Sequence, residues 1–320
     1  ERYLDSVYRR LVGRVAADRG FGDAARAGEV VEGGPYTASE ALSAGLVDEL
    51  VAADELEEKL GTVVDGPLML VDEYGEAPRR HRTYLDSPAV AVVHVRGELI
   101  DGESVHIPFL GIHMAGARSV TETLRRMGED PRIRAVVLRI DSPGGSALAS
   151  DIIWREVMSL REKKPVVASL GRVAASGGYY IASAADEIWA EPTTLTGSIG
   201  IFYGKADASG LLDKIGVDVT TYKRGAHADI ESWTRPYTPE ERRRLLSQIR
   251  EYYHLFLDRV VAGRERGFTR EIVDKRGRGR IWSGADAEHH LLVDELGGYL
   301  EAVDRARVLG NVDRGTRVFQ

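Results

Sequence analysis

The 320-residue chain contains no cysteine, which excludes disulfide frameworks, thiol nucleophiles and thiolate metal sites, so any nucleophile must carry oxygen or nitrogen. It also lacks a long apolar run. The longest, Ala89 to Val95, includes His94; it falls far short of the roughly 18 residues that cross a bilayer and reads as a buried strand. There is no excess of positive charge either: 43 Lys+Arg stand against 50 Asp+Glu, for a net charge of -7 and a pI near 5.7. No electrostatic footprint for nucleic acid follows from that balance. A leading methionine is missing too. Glu1 is followed at once by helical spacing through Tyr3, Leu4, Val7, Leu11, Val12 and Val15 with no N-cap before it, so the expectation is a chain that starts inside a longer one. What is present, 43% hydrophobic and 29% charged residues, is ordinary globular composition for one large domain or about two.

The sequence repeats itself. Tyr36-Thr37-Ala38-Ser39-Glu40-Ala41 followed by Leu46-Val47-Asp48-Glu49-Leu50 recurs, 246 residues on, as Trp282-Ser283-Gly284-Ala285-Asp286-Ala287 followed by Leu292-Val293-Asp294-Glu295-Leu296. Upstream of each copy an aromatic-bearing helical stretch ends in Arg-Gly-Phe, at Arg19-Gly20-Phe21 and Arg266-Gly267-Phe268. This is a duplicated unit seen twice at its tail. The expected organisation is residues 1–64 as the tail of a first repeat, 65–86 as a charged, Pro/Gly-punctuated linker, and 87–320 as a complete second repeat. By the same offset the first repeat lacks on the order of 180 residues at its front.

The body alternates strand and helix. Apolar runs at Ala89–Val95, Arg134–Ile140, Pro165–Leu170 and Glu187–Ala190 read as strands, and Ala117–Arg126, Ala149–Leu160 and Ala174–Ala184 read as helices. That order predicts an α/β fold with a parallel sheet covered on both faces.

Reactive groups in such sheets gather where strands end and helices begin. Ser142-Pro143-Gly144-Gly145-Ser146 follows a strand and opens a helix, so its glycines can bring bare N–H groups up to a ligand. Ala174-Ala175-Ser176-Gly177-Gly178-Tyr179-Tyr180 places a serine between small residues at a helix start. Alone, each also reads as plain structure, a tight turn and an N-cap serine. Together they supply a nucleophile and donors for an oxyanion.

With Thr194-Leu195-Thr196-Gly197-Ser198-Ile199-Gly200, these motifs resemble the signature of the signal peptide peptidase A (protease IV) family from about Ser87 to Val312, and residues 1–64 resemble the tail of that family's preceding repeat. The resemblance implies the Clp protease/crotonase-like fold, with flanking helices and a tandem repeat whose first copy is truncated here. It implies a serine endopeptidase with a Ser-Lys dyad, acting on cleaved signal peptides and similar apolar peptides without a cofactor or metal. Ser176 falls on the nucleophile, the N–H groups of Gly145 and Gly177 on the oxyanion hole, and Ser198 on the hydroxyl that orients the lysine. It further implies a homo-oligomeric ring, and a bacterial inner (cytoplasmic) membrane location with the catalytic part outside the cytoplasm and an anchor upstream of Glu1. Two other readings stay open: a noncatalytic assembly module of the same fold, and a crotonase-like acyl-CoA enzyme.

The base is the departure from the pattern. A lysine serves only if burial lowers its pKa from roughly 10.4 toward 7 or 8, and where single-repeat members carry it this chain has Ala228, within Lys223-Arg224-Gly225-Ala226-His227-Ala228-Asp229-Ile230. Duplicated members place the lysine in the first repeat, so the resemblance puts it ahead of Glu1, and the chain alone is expected to be weakly active or inactive. Lys223 is a substitute by proximity, and His227 with Asp229 supplies the residue types of a Ser-His-Asp triad with Ser176. His289-His290 with Asp286, Asp101-Gly102-Glu103-Ser104 and Asp151 lack the clustering of a metal site. Arg242, Arg243 and Arg244 read as a solvated helix face.

Overall fold

The structure, a computed structural model, describes residues 2–32, 38–51, 59–60, 88–221, 229–264, 267–313 and 315–319. The chain divides into a unit of residues 1–86 and a unit of residues 87–320. The expected linker at 65–86 lies outside the described residues.

In the first unit, helices α1 (Arg2–Asp18), α2 (Ala24–Glu32) and α3 (Ala38–Ser43) follow one another. Val12, Ala27 and Val30 are buried. Arg19, just past α1, donates from both terminal nitrogens to the Asp48 carboxylate at 2.9 Å and from Nε to the Gly45 carbonyl at 2.7 Å. This fork ties the helix end to the motif that recurs downstream.

The second unit is built on a parallel sheet. Strands β1 (Ala89–Arg96), β5 (Ile133–Ser142), β6 (Val166–Ala175) and β7 (Glu187–Ala190) are Val/Ile/Ala-rich, as strands covered on both faces must be. With β10 (Glu295–Leu296) and β11 (Arg317–Phe319) they lie in the order β10-β7-β6-β5-β1-β11, all parallel. On one face, Ala91, Val93, Val136, Leu138 and Ala168 pack against helices α4 (Ala117–Glu129), α5 (Ala147–Arg161) and α6 (Gly177–Ala182), and against the C-terminal half of α8 (Pro239–Arg264). On the other, Val90, Val92, Ala135, Val137 and Val167 pack against Ala302, Val303 and Ala306 of α11 (Tyr299–Leu309). At about 25 cal/mol per Å² these layers are the main stabilising term. The α/β parallel sheet with flanking helices is as expected from the sequence.

Two features steer the strand ends. First, β6 changes partners: it pairs β7 through Val167–Leu170, then pairs β8 (Leu195–Gly197) through Val173–Ala175. The break falls at Gly171, where a Cβ would lie 2.9 Å from the Ile140 carbonyl. The Thr194 and Thr196 hydroxyls donate to the Gly171 and Ala174 carbonyls at 2.8 and 2.7 Å, and β9 (Ile281–Ser283) completes this corner antiparallel to β8. The sequence ended this strand at Leu170 and started a helix at Ala174. Instead pairing overrides the helical preference of the alanines, and the helix begins only at Gly177. Second, a small sheet of β2 (Glu98–Ile100), β4 (Ile112–Gly116) and β3 (Val105–Ile107) crosses over the end of β5. Leu99 bridges Gly145.

Short elements α7 (Ser209–Lys214), α9 (Arg270–Arg276) and α10 (Gly284–His289) complete the unit. The recurring motif at Leu292–Leu296 is used internally: Leu292 and Val293 are buried and Glu295–Leu296 form the terminal strand. Arg264 at the end of α8 forks onto both carboxylate oxygens of Asp294, whose Oδ2 also accepts the Ile188 N–H at 2.7 Å. With both side chains at most 3% exposed, removing one partner strands a buried charge. Arg264→Ala is expected to lower the unfolding free energy by about 3–5 kcal/mol in urea titration at neutral pH; a loss below about 1 kcal/mol would show the pair is not what joins α8 to the sheet edge.

Candidate active site

Ser176 sits at the hinge between β6 and α6 with φ 52° and ψ −119°. L-residues occupy such backbone at a cost of about 1–3 kcal/mol and hold it only where the surroundings over-determine it. Here its N–H donates to the Gly197 carbonyl at 2.9 Å and its carbonyl accepts from Tyr180 N at 2.8 Å. The Ser176 hydroxyl does not cap α6, so the N-cap alternative fails and a half-buried Oγ is left free of the helix it precedes.

The second turn meets the first backbone to backbone. Gly144 and Gly145 have φ 103° and 152°. A Cβ on Gly144 would lie 2.7 Å from Gly177 N and 2.8 Å from the Ser176 Cβ; one on Gly145 would lie 2.2 Å from the Leu99 carbonyl; one on Gly178 would lie 2.6 Å from the Ser142 carbonyl. β2 clamps the turn from above, with Leu99 N donating to the Gly144 carbonyl and Ser146 N to the Leu99 carbonyl, both at 2.8 Å. Ser146 caps α5 through Ala149 N at 3.2 Å and donates to Asp101 at 2.7 Å. Among the described residues, neither the Gly145 nor the Gly177 amide has a protein acceptor.

Ser198 is brought to the same place. It too has positive φ, 49°, and its N–H donates to the Arg280 carbonyl at 2.6 Å. Gly144, Gly145, Ser176 and Ser198 together line one cleft of about 790 Å³. Pro143, Ile201, Phe202 and Ile249 give it apolar walls, while Glu98, Arg250, Tyr253 and Arg278 add polar ones. The sequence reading missed these last four, which come from a three-residue strand, the middle of α8 and a tight turn. Burial, then a hydrogen bond donated to Asp274 at 2.8 Å, pushes the Tyr253 phenol up, so it stays protonated and its oxygen accepts the Arg278 N–H at 3.1 Å.

No described lysine of this unit lines the cleft. Lys164, whose pKa is lowered by burial, is bonded to the Met127 and Asp130 carbonyls at the start of β6, the opposite end from Ser176. Lys205 donates to the Ile230 carbonyl at 2.7 Å. Lys223, His227 and Ala228 lie outside the described residues. Asp229 forks onto Arg235 at 2.7 Å, and Arg235 also grips the buried Glu241 at 2.8 Å. Arg235 thus holds both the Asp229 and the Glu241 carboxylates. Asp151 joins Arg155, Arg259 and Tyr180 in a structural cluster, Asp286 accepts from Ser283, and His290 packs on Trp282 at 4.1 Å. Arg242 and Arg243 are exposed.

The glycine contacts can be tested by stability. Gly145→Ala is expected to lower the unfolding free energy by about 2–3 kcal/mol, because the Leu99 clamp must open. Gly204→Ala, where nothing lies within 4 Å, serves as the control and is expected to stay within about 0.5 kcal/mol. Equal effects in urea titration would mean that the turn tolerates a side chain.

Residues 158–313 match the model of "Peptidase family S49", a span that includes Ser176 and Ser198. The chain is 38% identical over 282 residues to Protease 4 of Haemophilus influenzae, covering 86% of this chain and 44% of that one. It is 37% identical over 207 residues to the Synechocystis sp. protein slr0021, named as a protease, covering 65% and 74%. A solved membrane-bound stomatin-specific protease aligns with TM-score 0.47 at 14% identity over 74% of this chain and 99% of that one. The chain thus spans less than half the length of the Haemophilus relative. Its similarity across most of the Synechocystis protein and the matched family model establish that it belongs to peptidase family S49.

Proposed function

We propose that this chain carries the nucleophile and oxyanion hole of a serine endopeptidase that degrades extended apolar peptides such as cleaved signal peptides. One observation carries the reading: a strained serine whose hydroxyl, like the amides of Gly145 and Gly177 in the two touching turns, has no protein partner among the described residues. In this mechanism Ser176 Oγ attacks the scissile carbonyl carbon as a base takes its proton. The carbonyl oxygen becomes an anion between the Gly145 and Gly177 N–H groups, each donor contributing on the order of 10²- to 10³-fold. The base then hands the proton to the leaving amine, and water attacks the acyl-enzyme by the same route. The cleft's apolar walls suit an apolar segment. Kinship with proteins named as proteases supports the same chemistry.

The base in this reading is a lysine amine oriented by Ser198 and supplied from sequence ahead of residue 1. Supporting it, no described lysine of the second unit lines the cleft, while the Haemophilus relative is more than twice the matched length. The six-residue helices α3 and α10, at corresponding places in the recurring motif, support a tandem-repeat origin. Assembly into a homo-oligomeric ring, and placement at the inner membrane through an anchor with the catalytic part outside the cytoplasm, belong to the same proposal. Among the described residues, no helix is long and apolar enough to cross a membrane.

The test is cleavage of a fluorogenic apolar peptide by the chain alone and by a form extended upstream. The extended form is expected to be faster by about 10²- to 10⁴-fold, and Ser176→Ala in it slower by at least about 10³-fold. Lys223→Ala and His227→Ala are expected to leave the extended form's rate within about twofold; a collapse in either would place the base inside this chain. The rate should rise with pH and level off above about 7 to 8, since a lysine accepts a proton only after losing its own. A rate that does not depend on Ser176 would end the peptidase reading.

A further inference from the structure

The cleft is apolar in most of its lining, yet two side chains of opposite charge lie in it without partners among the described residues. Glu98 belongs to β2, where strand alternation sends Leu99 into the core and leaves Glu98 exposed. It shares a wall with Pro143, Gly144 and Gly145, because β2 is bonded to that turn. Arg250 is an exposed residue in the middle of α8 and lines the same cleft with Ile249, Tyr253 and Arg278, while also bordering a neighbouring hollow with Glu251 and Asp258. Arg278 is already neutralised, with Nε and Nη2 on Asp274 at 3.0 and 2.5 Å. The carboxylate of Glu98 and the guanidinium of Arg250 have no ion-pair or hydrogen-bond partner among the described residues. Glu251, next to Arg250 in sequence, does not line the cleft.

Because β2 and α8 carry these charges to one cleft with Ser176, a peptide lying in it meets a negative charge from one element and a positive charge from the other. Apolar walls lower the local dielectric and strengthen both. We propose that the cleft reads charge order: the preferred peptide presents a lysine or arginine to Glu98 on one side of the scissile bond and an aspartate or glutamate to Arg250 on the other. Glu98 and Arg250 are then specificity-determining residues for short amphoteric stretches around an apolar centre. The inference rests on the peptidase reading but concerns recognition, not bond breaking. Each exposed pair is worth at most about fivefold, and exchanging the two charges turns two attractions into two repulsions, so discrimination of about tenfold between the two orders is expected.

Two fluorescein-labelled decapeptides of identical composition, with Lys and Glu exchanged across an Ala-Leu centre, separate charge order from net charge. Their binding to Ser176→Ala by anisotropy reads recognition without requiring turnover. One order should bind about tenfold tighter, and the difference should shrink below about twofold near 0.5 M salt. The preference should reverse when Glu98→Lys and Arg250→Glu are combined, and each single substitution should weaken it. Because the readout is a ratio, a general loss of affinity in a variant cancels. Equal affinity for both orders, or a preference that survives the charge exchange, would overturn the inference while leaving the peptidase reading intact. Failure to bind either peptide, or a neutral peptide of the same length, would remove the peptidase reading and this inference with it.

Discussion

Everything at the candidate site depends on a contact that admits no side chain. The backbone of the Gly144–Gly145 turn touches the backbone of Gly177, while Leu99 closes over the turn from the other side. A single Cβ at any of these glycines would put atoms 2.2–2.7 Å apart, well inside van der Waals contact. Because the two turns are so close, Gly144 and Gly145 line the same cleft as Ser176. The contact is backbone on backbone, fixed when the sheet forms.

The strained serine follows from how β6 ends. A strand that kept β7 as its partner would run on in line with the sheet. Instead Gly171 lets β6 bend beside Asp141, whose carboxylate accepts the Val173 N–H at 3.1 Å, and β8 takes over the pairing. Gly197 then offers its carbonyl to Ser176 N and holds the residue at positive φ. A neighbouring residue with the same backbone sign, Ser198, is pinned by Arg280 in the same way. Both hydroxyls therefore reach the cleft because hydrogen bonds on their own amides turn the chain over.

The strand–helix alternation was legible in the Val/Ile runs, and the exposed turn carrying Ser176 in Ala-Ser-Gly-Gly after a strand, because these signals are local. The clamp by β2 was not. Three residues flanked by Gly97 and Gly102 carry no periodicity, and Leu99 matters through one bridge to a residue 46 positions away. The end of β6 was misread for a related reason: Ala174 and Ala175 favour helix until Ser142 and β8 pair with them. Arg250 and Tyr253 were hidden inside a long amphipathic helix, where nothing in sequence distinguishes a residue facing a cleft from one facing water. The fork from Arg235 onto Asp229, six residues back, was equally hidden, since a single arginine in a loop does not announce its partner in sequence.

The hydrogen bond from Ser198 to Arg280, with the pairing of β8 to β9, has a bearing on the order of events during synthesis. Translation delivers Ser176 and both glycine turns more than a hundred residues before Ile281–Ser283 exist to brace them. Until that late strand has left the ribosome and docked, the corner that holds the two serines is incomplete. The positive-φ backbone at Ser176 and Ser198 therefore gains its last brace only with the final third of the second unit.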